Sequence, residues 1–378
     1  MNLRKKQVNT YDIAIIGAGI NGCSLAHALH QQGQKVLVIE QNSIASGGSG
    51  AAGAFINPKI SKAGELKELI EEAYVFSLEF YTKYFNEHTT TAPLLHISKY
   101  ENDNAKVEYF KAHTPLQTSD IPSSLQSQLK PHALSFSSVY LKDNAIVEAK
   151  DICEDMLEGI DIVYEKVEKL KYIDGFYSLG NSRTKKVILC TGAYEAVLEL
   201  DYISLRRIYG QRCEIKSSTQ MQASLHHEVS VSVTKKNGCI AIGASHYLKK
   251  DEVPKNEEGA QELISLAQKS IELKDIEVLN VFTGMRAGSN DYLPLLGPLV
   301  DISKSLALDP RASKAEKEAS LSYIKDVYMM NGVGGYGFVL APYLASLLCA
   351  HLVHNKALPE FLEPKRFYYR QAKKRGQK

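Results

Sequence analysis

Arg286 stands in Gly284-Met285-Arg286-Ala287-Gly288, shortly before Asp291 and Pro294. A planar guanidinium binds a carboxylate through two parallel hydrogen bonds. Here it either grips an acid group of a substrate or closes a buried ion pair, for which Asp291 is the candidate. A second group, Gly17-Ala18-Gly19-Ile20-Asn21-Gly22, spells G-x-G-x-x-G, and Glu40 follows roughly twenty residues on. The first glycine permits a tight turn, the second lets backbone approach a pyrophosphate, and the third lets helix and strand pack closely. A helix N-terminus at that place offers free N–H groups and a positive dipole end to phosphates. An acid at position 40 hydrogen-bonds ribose hydroxyls and disfavours a 2′-phosphate, so NADP is not expected. A glycine turn that only packs strand on helix shares the spelling, and the run alone does not separate FAD from NAD.

These groups need elements to hold them. Residues 11–16 are a short apolar, β-branched run that reads as a buried parallel strand. A helix over 21–32 follows the glycines, with Gly33 at its C-terminal cap. Residues 35–40 are the next strand, which completes a βαβ unit. A helix is expected over 65–84, where Leu66, Leu69, Ile70, Ala73 and Phe76 or Ser77 recur on one face. The polar, proline-bearing stretch 89–131 resists assignment. A helix at 151–158 is followed by strands at 161–164, 166–173, 176–179 and 186–190. Residues 208–217 and 229–244 read as longer strands of a second sheet. A charged loop spans 249–258 and an amphipathic helix 259–273. The charged run 311–318 reads as a solvated excursion. A strand at 326–331 leads through Gly332-Val333-Gly334-Gly335-Tyr336-Gly337 into a helix over 341–353.

Three later features favour FAD. Ser46-Gly47-Gly48-Ser49-Gly50-Ala51-Ala52-Gly53 is a small-residue loop that allows backbone to approach a bulky ring. The apolar strand ending in Cys190-Thr191-Gly192-Ala193 can return to the pyrophosphate side of the sheet. The glycine run 332–337 opens a helix whose N-terminus can face electron-rich atoms of a reduced flavin. Each feature taken singly has a purely structural reading, since Gly-rich turns join strands and helices in many folds.

The chain has 378 residues, is 44% hydrophobic, and carries a net charge of +2. That supports a large core and two domains, and excludes a disordered or broadly basic protein. No internal repeat or low-complexity linker separates the domains, so they are expected to interleave. Six scattered cysteines, without a CxxC pair or zinc-type spacing, fit reduced thiols of a cytoplasmic protein. Cys23 and Cys190 read as small core residues. No metal site is expected: His226-His227 and His246 lack metal spacing and read as surface or structural. No signal peptide precedes the first strand, and the apolar segment 338–353, broken by Pro342 and His351, reads as a buried helix and not a membrane span. The closing Lys365-Arg366-Phe367-Tyr368-Tyr369-Arg370-Gln371-Ala372-Lys373-Lys374-Arg375, with Arg4-Lys5-Lys6, is either a solvated basic tail or a surface for RNA phosphates and bases.

In this order the motifs resemble the D-amino-acid oxidase-like superfamily of FAD enzymes over nearly the whole chain, from Tyr11 to about Gly376. The resemblance rests on Ile15-Ile16-Gly17-Ala18-Gly19-Ile20, Ala45-Ser46-Gly47-Gly48-Ser49-Gly50 and Gly53-Ala54-Phe55. It continues through Ile242-Gly243-Ala244-Ser245-His246-Tyr247, Gly284-Met285-Arg286, Asp291-Tyr292-Leu293-Pro294-Leu295-Leu296-Gly297 and Asn331-Gly332-Val333-Gly334-Gly335-Tyr336-Gly337. The closing Leu362-Glu363-Pro364-Lys365-Arg366-Phe367 completes it. It is closest to the FAD domain of the bifunctional enzymes of tRNA 5-methylaminomethyl-2-thiouridine biosynthesis. The stretch Ile56-Asn57-Pro58-Lys59 departs from that pattern.

The resemblance implies an α/β fold: a Rossmann-like FAD-binding domain of the glutathione-reductase type over 8–60, 140–205 and 284–378. An α+β substrate domain on an antiparallel sheet would take 61–139 and 206–283. It implies FAD contacts from Gly17, Gly19, Ile20, Gly22, Glu40, Ser46, Ser49, Gly50, Val167, Thr191, Gly192, Gly332, Gly334, Gly335, Tyr336 and Gly337. It also implies Arg286 as a carboxylate clamp, with Tyr247 and Tyr336 as pocket residues and Asp291 holding a turn. The implied reaction removes the carboxymethyl group of 5-carboxymethylaminomethyluridine in tRNA, leaving 5-aminomethyluridine. No methyltransferase segment precedes the flavin strand, so only the oxidative step is expected, with a separate methyltransferase as a candidate partner. The competing expectations are a small amino-acid or amine oxidase of the glycine or D-amino-acid type, and a non-catalytic flavoprotein.

Overall fold

Strand Asn9–Ile16 is apolar on both faces because parallel neighbours flank it and layers cover it above and below. Val36–Glu40 pairs along one edge and Ser182–Leu189 along the other. Its alternate side chains enter two different cores: Ile13 and Ile15 join the helices, while Ala14 and Ile16 face the opposite layer. The computed structural model describes residues 8–194, 197–198, 200–314 and 320–376, with the side chains of 314 and 374–376 excepted. The basic triplet Arg4-Lys5-Lys6 and the end of the charged run 311–318 therefore lie outside the described residues.

The first sheet has eight strands. Six form a path in the order Lys171–Ile173, Phe176–Leu179, Ser182–Leu189, Asn9–Ile16, Val36–Glu40 and Asp161–Tyr164. Tyr323–Asn331 adds in parallel to the end of Ser182–Leu189, and Leu295–Val300 pairs antiparallel with it. Helices Ile20–Gln31, Glu65–Tyr84 and Gly337–His354 pack on one face. The helix Glu65–Tyr84 buries Leu69, Ile70, Ala73, Tyr74, Ser77 and Tyr81, so Ser77 continues the buried stripe and Phe76 does not. All six cysteines are buried and free.

The apolar helix Gly337–His354 is long enough to cross a membrane, but half of it is buried inside the molecule against the other two helices. Pro342 lies inside it and supplies no N–H for the Phe338 carbonyl. The Tyr81 hydroxyl donates to that oxygen at 3.0 Å, and Ser77 Oγ donates to Val339 O at 2.7 Å.

The second sheet also has eight strands, in the order Glu277–Ser289, Leu205–Lys216, Ile240–Gly243, Ser230–Val231, Ser224–His226, Leu94–Ile97, Ser138–Leu141 and Thr118–Ser119. Every pairing is antiparallel except that of Ser224–His226 with Leu94–Ile97. The unassigned stretch 89–131 supplies Leu94–Ile97, the helix Asn104–His113 and two short helical turns.

Several expectations are corrected. Residues 229–244 are not one strand but two short ones. Between them Gly238, at φ +80°, donates its N–H to the Lys235 carbonyl at 2.8 Å. The Asn237-Gly238 pair is a turn signal that interrupts the apolar run. Within 166–173 only Lys171–Ile173 is a strand. The helix expected over 259–273 is Asn256–Ala267, and the one expected over 341–353 starts earlier, at Gly337.

Candidate active site

Four parallel strands of the first sheet end at Ile16, Glu40, Leu189 and Asn331. Parallel α/β sheets bind ligands in the crevice outside such carboxyl ends. The turns there are held close. Gly17 has φ +108°, and a Cβ on it would lie 2.5 Å from the Cys190 carbonyl oxygen, so only glycine lets the two turns meet. Glu40 accepts from the Ala18 N–H at 2.8 Å and from the Asn42 N–H at 2.9 Å. Ser49 Oγ accepts from the Ile20 N–H at 2.9 Å, which ties the small-residue loop to the start of the first helix. Asn331 Nδ2 donates to Gly192 O at 3.0 Å, and Asn21 Nδ2 to Met330 O at 3.3 Å.

Two cavities open onto these turns. The larger, about 850 Å³, runs between the two sheets. It takes in Gly19, Ile20, Ser49, Gly192, Gly334, Gly335, Tyr336, Gly337, Tyr247 and Arg286. The smaller, about 110 Å³, takes in Gly17, Glu40, Ser46, Val167 and Thr191, and shares Gly19, Ser49 and Gly192 with the larger. Gly22, Gly50 and Gly332 line neither cavity. Gly22 packs against Gly17, and Gly50 offers its carbonyl to Arg212 Nη2 at 3.3 Å. A Cβ placed on Gly192, Gly334 or Gly335 would meet nothing within 4 Å. Bare backbone therefore faces the cleft, with room for a ring system to approach it, and the dinucleotide-type turns around it fit FAD.

Arg286 lies on Glu277–Ser289, paired in register with Ile208 of Leu205–Lys216. Its Nη2 donates to the Ser245 carbonyl at 3.2 Å. No carboxylate among the described residues forms an ion pair with it. Burial lowers its pKa below the ordinary value. The ion pair with Asp291 that the spacing allowed is not formed. Asp291 instead binds Arg366 at 2.9 Å and Arg370 at 2.6 Å, and accepts from Ser289 Oγ and the Leu293 N–H. Room for the guanidinium comes from Gly210, where a Cβ would lie 2.6 Å from Arg286 Nη2 and 2.6 Å from Ser245 O. Across the strand, Gly48 packs on the Met285 carbonyl, and Gly284 admits Ala51 and Gly47.

The other wall of the cleft comes from residues that the motifs did not mark. His226, read from sequence as surface or structural, lines the cleft beside His96, their ring centroids 6.4 Å apart. The Phe55 ring meets His226 edge-on at 4.9 Å. Burial pushes the pKa of His96 down to about 4 and that of His226 to about 3, so both are neutral near pH 7. His226 Nε2 is buried without a hydrogen bond. His96 was hidden in the unassigned stretch, and the parallel pairing of Leu94–Ile97 with Ser224–His226 that joins the two has no local signature. Tyr247 donates to Glu262 at 3.0 Å. Lys59 Nζ sits 5.4 Å from the centre of the Tyr336 ring.

Two aromatic residues of the C-terminal basic segment are turned into the core, while Arg370 and Lys373 stay exposed. The segment is the helix Lys365–Gly376, in which Phe367 and Tyr368 are buried in the core. Arg366 donates to Asp291 and to the carbonyls of Leu362, Leu293 and Pro294. The expected excursion at 311–318 is anchored at its start, where Ala312 is buried and its carbonyl accepts from the Tyr368 hydroxyl at 2.9 Å.

Comparison with known proteins adds three findings. The family described as FAD dependent oxidoreductase (DAO) matches residues 12–351. The tRNA 5-methylaminomethyl-2-thiouridine biosynthesis bifunctional proteins MnmC of Leptospira interrogans and Stutzerimonas stutzeri are 25% and 24% identical to 96% and 94% of the chain. The chain spans only about three fifths of these relatives, 61% and 59% of their lengths. The crystal structure of glycine oxidase from Bacillus cereus superposes with a TM-score of 0.74 at 20% identity, covering 93% of this chain and 97% of that one.

Proposed function

This chain belongs to the FAD dependent oxidoreductases of the DAO family, and from that premise we propose that it oxidises the methylene of a carboxymethylamino group on a tRNA wobble uridine, releasing the carboxymethyl carbons as glyoxylate. The observation that carries the reading is the Arg286 guanidinium, held at a cleft of about 850 Å³ with no carboxylate partner among the described residues. Pockets for drug-sized ligands span about 300–1,000 Å³. The cleft thus has the size of an ordinary ligand site.

The cofactor's binding is assigned to 8–60, 140–205 and 284–378, and the substrate's to 61–139 and 206–283. Gly17, Gly19 and Gly22 form the pyrophosphate turn. Glu40 keeps lone pairs for ribose hydroxyls beyond its two backbone bonds. Ile20, Ser46, Ser49, Val167, Thr191, Gly192, Gly334, Gly335 and Gly337 complete the cradle, while Gly50 and Gly332, which line neither cavity, shape its turns from behind. Bound FAD supplies the acceptor for a hydride leaving the carbon beside nitrogen.

The protein's own share is orientation and charge. Arg286 takes the substrate carboxylate in two parallel hydrogen bonds, which fixes the adjacent methylene. Tyr336 and Tyr247 flank that group. His96 and His226, being neutral, add no positive charge to the wall of the cleft. The substrate amine must arrive neutral, so its proton is lost to solvent before the carbon–hydrogen bond breaks. Water then adds to the carbon–nitrogen double bond and the two halves separate.

A small amino-acid oxidase is the second reading, favoured by one observation: the fold superposes on glycine oxidase from Bacillus cereus with a TM-score of 0.74. Purified, FAD-loaded enzyme should be incubated with tRNA bearing 5-carboxymethylaminomethyluridine, and separately with glycine, sarcosine and D-alanine. Conversion of the nucleoside to 5-aminomethyluridine with glyoxylate release is the expected result, read by mass spectrometry. Turnover of a free amino acid with the nucleoside unchanged overturns the proposal in favour of the second reading. A cytoplasmic location and a separate methyltransferase partner belong to the same proposal.

A further inference from the structure

We propose that His132, His227 and Glu228 form a binding site for one zinc-type divalent cation at the rim of the cleft. Their ligand atoms all lie within 4.8 Å of one another, although the residues come from two distant parts of the chain. His132 sits on the short helix Pro131–Leu134, and His227-Glu228 form the turn between Ser224–His226 and Ser230–Val231.

His227 is the residue that distinguishes this group from an ordinary surface ion pair. It is only 8% exposed, and its Nε2 is buried with no hydrogen bond. Its other nitrogen, Nδ1, lies 2.8 Å from Ser270 Oγ. A ring held through Nδ1 presents Nε2 as the free ligand atom, the arrangement by which outer-shell hydrogen bonds fix a metal-binding histidine. Ser270 is itself pinned, its carbonyl accepting from the Lys130 N–H at 2.9 Å.

The remaining donors match the cation. His132 Nε2 is 3.2 Å from Glu228 Oε1, a spacing that two ligands of one tetrahedral ion share. Two imidazoles and one carboxylate suit zinc, whereas calcium and magnesium take oxygen ligands. Three protein ligands leave one position for water. Lys99 opposes the cation, its Nζ lying 3.8 Å from Glu228 Oε2, while His132 meets Oε1. The group His88, Asp151 and Asp155 offers an internal control. His88 there meets carboxylates at 3.9 and 3.2 Å, with no buried orphan nitrogen.

The test is elemental analysis and zinc chloride titration calorimetry on FAD-loaded enzyme, first stripped with a chelator and then dialysed. After stripping, wild type should take up one zinc per chain from zinc chloride and show a zinc-dependent rise in Tm. His227→Ala and His132→Ala should abolish both. Ser270→Ala should weaken zinc binding about 10-fold or more, Lys99→Gln should strengthen it, and His88→Ala should leave it unchanged. Retained FAD absorbance identifies variants that have folded. Failure of wild type to bind zinc more tightly than His227→Ala overturns the proposal, as does equal loss in His88→Ala.

Discussion

The Nη2 of Arg286 donates to the Ser245 carbonyl at 3.2 Å, and that neutral oxygen is its one hydrogen-bond acceptor among the described residues. The nearby acid in sequence, Asp291, is committed to Arg366 and Arg370. A partly buried guanidinium with a single neutral acceptor is poised for an anion from outside.

Arg286→Ala should therefore raise KM for a carboxylate-bearing substrate. Hydrogen bonds to charged groups contribute about 1.5–3 kcal/mol, which corresponds to about 10–150-fold. Arg286→Lys should recover only part of the loss, because an ammonium lacks the planar fork. FAD content should be unchanged in both. Steady-state kinetics with a matched substrate lacking the carboxylate supplies the check: Arg286→Ala should barely affect it.

Gly210→Ala should imitate Arg286→Ala without touching a charge. The added Cβ would stand 2.6 Å from both Arg286 Nη2 and Ser245 O. The guanidinium must then move. A rise in KM accompanied by a fall in Tm is the expected pattern, because the Ser245 carbonyl is backbone and must shift as well, and an unchanged KM would show that Arg286 does not need its observed position.

How far the sequence reveals these features depends on the range of the physics involved. The βαβ unit, Glu40 and the glycine turns were readable because each is written in consecutive residues with a fixed period. The helix Glu65–Tyr84 is readable from its stripe, whose continuation through Ser77 reflects the hydroxyl's bond to Val339 O. Asp291 and Arg286 are close in sequence but not paired, because Arg366 arrives from far along the chain. The wall made by His96 and His226 depends on a parallel strand pairing between distant segments, which leaves no local pattern. Aromatic residues of the basic C-terminal segment looked exposed for the same reason: their burial is decided by residues such as Ala312 and Tyr202.

Asp291→Asn should loosen the C-terminal helix, at a cost of about 3 kcal/mol for breaking a largely buried ion pair. Burial raises the Asp291 pKa, but the hydrogen bonds and charge of Arg366 outweigh it, and the net shift is downward from 3.8. A carboxylate with a lowered folded pKa contributes stability that is complete above its unfolded value and is lost as pH falls through the folded one. The difference between wild type and Asp291→Asn in urea unfolding should thus be constant above about pH 5 and shrink below pH 4.

The buried imidazoles act in a neighbouring pH window. His96 and His226 are held neutral by burial, with pKa values of about 4 and about 3 against the ordinary 6.5. The unfolded chain binds their protons first as pH falls below 6.5, so the folded state loses stability from there down toward about pH 4. His96→Gln and His226→Asn should flatten that part of the stability curve. Wild-type slope in both variants would mean that these rings are not shielded.

Tyr81→Phe tests the last link between fold and site. Pro342 leaves the Phe338 carbonyl without its helical donor, and the Tyr81 hydroxyl takes that place at 3.0 Å. Phe338 lies directly after Gly337, where the glycine run enters the helix and lines the cleft. Removing the hydroxyl leaves a buried acceptor unsatisfied, which costs about 1–3 kcal/mol. The loss should show as a lower urea midpoint with an unchanged m-value. Because the same turn carries Gly334 to Gly337, FAD should also dissociate more readily from Tyr81→Phe, measured by flavin fluorescence on dilution. A stability loss with FAD affinity intact would place the effect of Tyr81 in the helix alone, and an unchanged midpoint would remove the hydroxyl from the account of how this helix tolerates its proline.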